Sequence, residues 1–449
     1  MAKKTQERSQ LLDLFLHVAD QLGAKTDREV AELADVGVDN IANWRAGTVR
    51  EIKAQTLRAI KENLATRFNT LREQLRIADS AIELGLIPVE IEEGSGPTAL
   101  QRQFVDRMVY DYLGHRFLYF EPQGALAWEN LIKNGYEEDS WLAAVRGCVK
   151  GWTDTRRDAS GWCRGPIASA LGWDRRGVAL KGLDIISLGP GEGGKEVIAL
   201  EQLLAGQKGV DQRLSWLTLA LVDVSIPLLI TATKAAKGLR EASTELGRPP
   251  YTVLPFCADF EEGPLSFVRR LPSELAGDRA VRLVMVLGNV FGNVRDEETF
   301  LRQKLLKIVR PGDLLWLDVG VRPGKIEQDP LFRMTESDHT ATAAFSARRL
   351  LLEGPYRRWE AAIGRPPTEI ETRVWIREGD DTCRVPGSVN FCHDLVIKTE
   401  RRVCTMLYSR RYDTEALSQW LEAHDFDVER IAPVEDSRQP VVHLLCRRR

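Results

Sequence analysis

The chain has 449 residues, a length that predicts two or three domains rather than one core. Its formal net charge is −3, with 28% charged and 43% hydrophobic residues, so the average surface offers no drive toward nucleic acid or membrane. No apolar run reaches the roughly 18 residues of a membrane span, and the first ten residues lack the apolar core of a signal peptide. Seven scattered cysteines form no CxxC pair, and Cys392 beside His393 stands alone, which points to free thiols, a reducing cytoplasmic compartment and no metal site.

Residues 9–22, SQLLDLFLHVADQL, have helical apolar spacing. TDREVAELADVGVDNIANWRAG follows at 26–47, where Thr26 and Glu29 suit a capping box. Ala31, Leu33 and Ala34 predict a short buried helix, and Gly37 a tight turn. Val38 and Ile41 are expected to face inward on a second helix, whose other face shows Asp39, Asn40, Asn43 and Arg45. Two such helices make a helix-turn-helix with a polar reading face. The segment resembles the helix-turn-helix of phage-repressor-type regulators, with Trp44 and Gly47 where that pattern carries its tryptophan and glycine. The resemblance implies DNA contacts through Asn40, Asn43 and Arg45. The alternative is a helical module for packing or dimerisation, since Asp35 and Asp39 oppose the phosphate attraction of Arg50, Lys53, Arg58 and Lys61.

Residues 51–84 predict a long helix that connects domains or pairs with a twin in a homodimer, and EEGSGPTA at 92–99 predicts a hinge. The domain reading is 1–65 helix-turn-helix, 66–99 helical linker and 100–180 helical accessory region. It continues with 181–325 cofactor-binding core, 326–410 substrate-binding accessory region and 411–449 return to the core sheet. Within 100–180, Trp141, Trp152, Trp162 and Trp173 recur without a repeating context. Core packing is the preferred reading for them over a pocket wall. His115 has the same two readings.

From residue 182 the pattern becomes strand, helix, strand. Apolar runs at 183–188, 216–225, 252–260, 281–294 and near 314–321 predict five strands, with helices at 195–204, 226–246 and from 296. This alternation predicts an α/β fold with a mostly parallel, Rossmann-like sheet whose ligand lies at the carboxyl ends of the strands. The first strand runs into GPGEGGK, residues 189–195. A P-loop would need Ser or Thr after the lysine, and Glu196 stands there. Gly189, Gly191 and Gly194 do satisfy GxGxxG, so the spacing alone leaves NAD open. Glu192 inside the loop disfavours phosphates, and a phosphate-free nucleoside fits better. Asp223 is then placed to take ribose hydroxyls, and Asp259 the adenine amino group. That set is what S-adenosyl-L-methionine (SAM) requires.

Residues 183 to about 430 resemble the histidine-specific, SAM-dependent methyltransferases of ergothioneine biosynthesis and their relatives. The resemblance rests on LGPGEGGK (188–195), VDVS (222–225), ADF (258–260), LGNVFGN (287–293), LDVGVRPGKIEQDP (317–330), TAAFSARRLL (342–351) and YSRRY (408–412). It implies a class I methyltransferase core with a second, α+β accessory region that contacts the substrate. The expected cofactor residues are Gly189, Gly191, Glu192, Gly193, Lys195, Asp223, Asp259, Phe260 and Gly288. The expected acceptor residues are Asn293, Tyr408, Ser409 and Arg410, with Asn293 orienting the acceptor and Tyr408 polarising it. Met406 or Leu407 stands where the histidine-methylating members carry a glutamate, so free histidine is not the expected acceptor. A nitrogen or other heteroatom of a small molecule, amino acid or peptide is. The Asn/Asp-Pro-Pro-aromatic and Pro-Cys settings of DNA base methylation are missing. Two alternatives carry other predictions. A non-catalytic SAM-sensing transcriptional regulator would need no acceptor cavity. An NAD-dependent oxidoreductase would want a Tyr-x-x-x-Lys pair, which Tyr251, Tyr356 and Tyr412 do not supply.

Overall fold

The computed structural model describes residues 26–34, 36–46, 89–107, 110, 112–133, 139–156, 165–173, 181–206, 214–245, 251–325, 343–362, 364, 366–378, 383–435, 437 and 439–449. The helices expected at 9–22 and 51–84, together with Gly47, Trp162 and residues 326–330, lie outside them.

The first described helices are α1 (Asp27–Ala34) and α2 (Val38–Arg45). Val30, Ala31, Ile41 and Trp44 are buried between them or against their surroundings. Val38, expected to face inward, is 46% exposed. It is the first residue of α2; Ile41, also expected to face inward, is buried. Gly37 caps α2 at φ −65°, a value open to any residue, so this turn does not depend on glycine.

After β1 (Glu90–Ile91) come α3 (Pro97–Arg107), α4 (Arg116–Tyr119), α5 (Pro122–Lys133), α6 (Asp139–Trp152) and α7 (Pro166–Leu171). The core then alternates β2 (Gly182–Leu188), α8 (Gly194–Gly206), β3 (Leu217–Asp223), α9 (Ile226–Glu245), β4 (Thr252–Cys257), α10 (Pro272–Ala276) and β5 (Ala280–Val286). Next are α11 (Val290–Asn293), α12 (Glu297–Phe300), β6 (Leu314–Val321), α13 (Ala343–Ala362), β7 (Ile370–Glu378), β8 (Val389–Ile397) and β9 (Arg402–Tyr412). The described chain ends with α14 (Thr414–Glu422), β10 (Phe426–Pro433) and β11 (Val441–Arg448).

All described strands join one sheet in the order β1-β4-β3-β2-β5-β6-β9-β8-β7, with β11 also on β6 and β10 on β11. The β1 to β6 pairings are parallel, while β11 lies antiparallel to β6. Every residue of β2, β3 and β5 is buried, as an apolar run covered on both faces must be. One core, with Leu200, Leu221, Leu283 and Trp316, lies on one face. A second, with Ile186, Val222, Val284 and Phe291, lies on the other. A third core packs α3 to α5 and α13 against β8 and β9 through Phe104, Phe117, Tyr356, Leu395 and Met406. Trp141, Trp152 and Trp173 are buried, which is the core role preferred for them.

Two boundaries differ from the sequence expectation. The fourth strand ends at Val286, and Val290–Asn293 forms a helical turn in place of more strand. Gly288 and Asn289, both at positive φ, break the ladder there. The segment expected to be a hinge is packed: Glu92 and Ser95 are buried, Glu92 accepts from the Ser266 hydroxyl at 2.7 Å, and Ser95 Oγ accepts from the Asp259 amide at 2.9 Å. Polar residues there satisfy backbone donors at the end of β4, a role that composition alone does not distinguish from a solvated loop.

β6 changes partner along its length. Leu314–Leu317 pair with β5 on one edge, and beyond the end of β5 Gly320 and Val321 pair with Arg411 and Tyr412 of β9. The opposite edge pairs with β11 throughout Leu314–Gly320. The carboxyl end of β9 is thereby set beside the carboxyl end of β5.

Candidate functional site

The glycine loop leaves β2 with positive φ at Gly189 (70°), Gly191 (57°) and Gly193 (81°). A Cβ on Gly193 would stand 2.8 Å from Ala232 Cβ, so its bare backbone is what lets α9 approach the loop. A Cβ on Gly191 would meet the Trp128 indole nitrogen at 3.0 Å, which places α5 over the loop. Glu192 is half-buried within it. Lys195 turns back under the loop. Its Nζ lies 3.7 Å from Asp318 Oδ2 and 5.4 Å from the centre of the Trp141 ring, and the side chain is buried. Its charge is therefore directed at a carboxylate of β6 rather than outward at a phosphate. Glu196 accepts the Ser187 hydroxyl at 2.8 Å inside the core.

Asp223 closes β3. Its carboxylate is buried and accepts from the Ser225 amide at 2.9 Å, and the Gly191 amide also donates to it. Burial pushes its pKa up to about 6 against the pull of those amides. The Ser225 hydroxyl beside it is wholly buried and has no hydrogen-bond partner among the described residues. A buried carboxylate and an unsatisfied hydroxyl at one strand end, beside a glycine-rich loop, suit a polar ligand such as a ribose.

Asp259 and Phe260 follow β4. Phe260 reaches the loop, since a Cβ on Gly189 would touch its ring at 3.6 Å. Asp259 is more committed than expected. One oxygen pairs with Arg116 and the other accepts from the Glu261 and Glu262 amides, both at 3.0 Å. An adenine amino group would have to share that carboxylate with Arg116. A cleft of about 470 Å³ opens here, lined among others by Asp259, Arg116, Arg107, Tyr110 and Glu262.

Gly288, at φ 82°, lies close to Lys195: a Cβ there would be 3.3 Å from Nζ. Asn289 adopts φ 58°, the left-handed region that asparagine tolerates better than most residues. Its amide donates to Asp318 at 2.8 Å, and its side-chain oxygen accepts from Gly320 at 3.0 Å. The β5 terminus is thus tied to β6 where β9 begins to pair. Asn293 stands one helical turn further on. Its side-chain amide is 2.9 Å from the Tyr408 carbonyl oxygen, to which its nitrogen donates when turned that way.

On β9, Ser409 Oγ lies 3.4 Å from the Asn289 side-chain nitrogen Nδ2 and accepts from Arg411 at 3.1 Å. The Tyr408 ring is buried and stacks on Tyr112, with centroids 5.1 Å apart and planes 13° apart. Arg410 does not face an acceptor, contrary to expectation. It is wholly buried, donates to the Val294 and Arg295 carbonyls, and lies 3.2 Å from Glu297. Alternation along β9 places Ser409 on the opposite face from both Tyr408 and Arg410.

Glycine loop, Asp223, Asp259–Phe260, Gly288 and Asn293 therefore gather at the carboxyl ends of β2 to β5, with Tyr408 and Ser409 alongside. Asn40, Asn43 and Arg45 are exposed on α2, and Arg45 pairs with Asp27 at 2.7 Å. Sequence reasoning missed Tyr112, Arg116, Glu261, Asn289 and Asp318. The first two precede the α/β unit by some seventy residues and come to the site only because the Tyr112 segment bridges to Thr405 of β9. Asn289 carried a readable signal, a Gly-Asn pair ending an apolar strand.

Among the described residues no group of three or more His, Cys, Asp or Glu is placed to hold a metal, and no helix is long and apolar enough to cross a membrane. No protein-family model matches the chain, and no curated protein does. Solved structures similar to it include an S-adenosylmethionine-dependent methyltransferase from Clostridium acetobutylicum ATCC 824, at 11% identity over 66% of this chain and 91% of that one, with a TM-score of 0.31. A second is the 1,6-didemethyltoxoflavin-N1-methyltransferase of Burkholderia thailandensis, solved with its substrate and S-adenosylhomocysteine bound, at 12% identity over 72% and 87% of the two chains, with a TM-score of 0.33. A third is the CcbJ methyltransferase from Streptomyces caelestis, at 12% identity over 63% and 96%, with a TM-score of 0.29.

Proposed function

We propose that the chain is a SAM-dependent methyltransferase acting on a nitrogen, or another heteroatom, of a small molecule, amino acid or peptide other than free histidine. The observation that carries this reading is the desolvated Asp223 carboxylate, bound by the Gly191 amide of a glycine loop whose lysine is turned inward onto Asp318. A loop with its cation withdrawn offers a diphosphate no positive side-chain charge, and the carboxylate at its rim accepts hydroxyls. SAM, when bound, would supply an electrophilic methyl group. The residues around it have to align an acceptor lone pair, exclude water and receive a proton. Asp223 would take the ribose hydroxyls, aided by Ser225. The loop backbone at Gly189, Gly191 and Gly193, with Glu192 beside it, would hold the amino-acid tail. Phe260 would pack on the base, with Asp259 at its amino group, and Gly288 would leave room beside Lys195. Asn293 and Ser409 would orient the acceptor.

The exposed face of α2 is proposed as a contact for DNA through Asn40, Asn43 and Arg45, with the catalytic core acting on a separate acceptor.

Isothermal titration with SAM tests the main reading. Binding in the micromolar range, lost at least about tenfold in Asp223→Ala, is the expected result. A protein with intact circular dichroism that takes up no SAM, or that binds NAD instead, would overturn it.

A further inference from the structure

Tyr112 is held with unusual completeness for a residue whose hydroxyl has no partner. Arg295 lies over one side of the pair at 5.2 Å from the Tyr112 ring, Tyr408 stacks on Tyr112, and Arg410 lies 5.0 Å from the Tyr408 ring. The Leu113 amide donates to the Thr405 carbonyl at 3.0 Å, fixing the backbone to β9. Tyr112 is nine-tenths buried, and its hydroxyl has no hydrogen-bond partner among the described residues. Buried hydroxyls are rarely left so. Gly114, at φ 96°, lies beside the hydroxyl, and a Cβ there would be in ordinary contact with it at 3.8 Å.

The next residue is His115. Its Nδ1 lies 3.3 Å from Glu261 Oε2, and its ring lies 5.8 Å from that of Phe260, the side chain that touches the glycine loop. Glu261 is itself fixed, since its other oxygen accepts from the Arg295 amide at 2.6 Å. The charge of Glu261 also acts on Tyr112, which places the three groups together. The two are within ion-pair reach, although His115 Nδ1 makes no hydrogen bond among the described residues, and an imidazole beside a buried carboxylate can receive a proton.

We infer that Tyr112, His115 and Glu261 form the acceptor-side machinery of this site. This rests on the methyltransferase reading. The Tyr112 hydroxyl hydrogen-bonds the acceptor nitrogen and His115, backed by Glu261, removes its proton. The nitrogen lone pair then forms the N–CH₃ bond as the S–CH₃ bond breaks, its electron pair staying on sulfur to give the neutral thioether. The proton rests on the imidazole, where Glu261 balances it. Tyr408 is a positioning residue that holds Tyr112, and a protonated amine or an azole N–H is the chemistry this set would take.

The test uses the full chain, SAM labelled in the methyl group, and a probe panel of histamine, imidazole, putrescine and L-lysine amide. Tyr112→Phe, His115→Gln and Glu261→Gln are compared with the wild type. SAM affinity is expected within about threefold of wild type in all three. Single-turnover methyl transfer to whichever probe the wild type accepts should fall about a hundredfold or more in His115→Gln, the scale of general-base catalysis. Glu261→Gln should follow it, and Tyr112→Phe should mainly raise KM. Wild-type protein that binds SAM but labels none of the probes overturns the inference, as do variants that transfer at the wild-type rate. Failure of the wild type to bind SAM is a different result and sinks the methyltransferase reading itself.

Discussion

Arg410 and Glu297 form an ion pair with no solvent access: Nε and Oε1 are 3.2 Å apart and neither side chain is exposed. Arg410 also holds the carbonyls of Val294 and Arg295, and the Tyr412 hydroxyl donates to Glu297 at 3.2 Å. The pair ties β9 to the segment that follows Asn293. Removing one partner strands the other charge in a dry site, which generally costs about 3–5 kcal/mol. Arg410→Met should therefore lower the urea midpoint sharply. A double Arg410→Met, Glu297→Met variant should recover part of the loss, because no buried charge is then left unpaired, while the Val294 and Arg295 carbonyls and the Tyr412 hydroxyl still lose their partners. Equal loss in both variants would contradict the pairing.

If Asp223 holds the ribose as proposed, it sets cofactor affinity against stability. Its folded pKa of about 6 lies above the ordinary carboxylate value near 3.8. Protonated Asp223 is thus the form the fold favours. Its contribution to stability is complete below the unfolded pKa and is lost as pH rises through the folded one, by about 3 kcal/mol in all. Asp223→Asn should raise the thermal midpoint at pH 7.5, leave it nearly unchanged at pH 4, and weaken SAM binding. Wild-type SAM affinity should decline as pH falls below about 6, because the neutral acid accepts hydroxyl hydrogen bonds less well. Calorimetry across pH 4–8 reads both effects.

Gly193 has two reasons to be glycine: φ of 81° and Ala232 at 2.8 Å from any Cβ. Gly193→Ala should cost about 2 kcal/mol or more, combining left-handed strain with a clash against helix backbone that cannot rotate away. Gly147, with nothing near its Cβ position and an ordinary φ, is the control, and Gly147→Ala should be neutral or stabilising. Denaturation midpoints of the two variants give the comparison.

His443 on β11 is buried and accepts from the Trp316 indole at 3.2 Å through Nδ1. Burial brings its pKa down to about 4, outweighing the nearby Asp318. Unfolded, it charges near pH 6.5, so stability it permits above that pH is lost as pH falls toward 4. His443→Gln should flatten the stability profile between pH 6.5 and 4 while leaving the alkaline side unaltered. A profile with the same acid slope would place the sensitivity elsewhere.

Much of the α/β unit could be read from the sequence because β2, β3 and β5 are buried on both faces and so are written as uninterrupted apolar runs. The glycine loop and Asp223 follow directly from those runs. The acceptor side resisted for physical reasons. Tyr112 and His115 reach the site through a bridge to Thr405, a contact across nearly three hundred residues that no local periodicity encodes. Arg410 was misread because the charge of an arginine suggests a ligand, whereas its partner Glu297 lies more than a hundred residues away. Val38 failed on a smaller scale: as the first residue of α2 it lies exposed, while Ile41 is buried.

The partner exchange along β6 has a mechanical consequence. Because Gly320 and Val321 are laddered to Arg411 and Tyr412, the three-stranded extension is sewn to the central sheet and has no free pivot at that seam. Tilting it away would tear main-chain bonds next to Asn289. Room for bulkier acceptors must then be gained by trimming side chains on β8 and β9 or by shifting the helical roof, and not by swinging the whole wall aside.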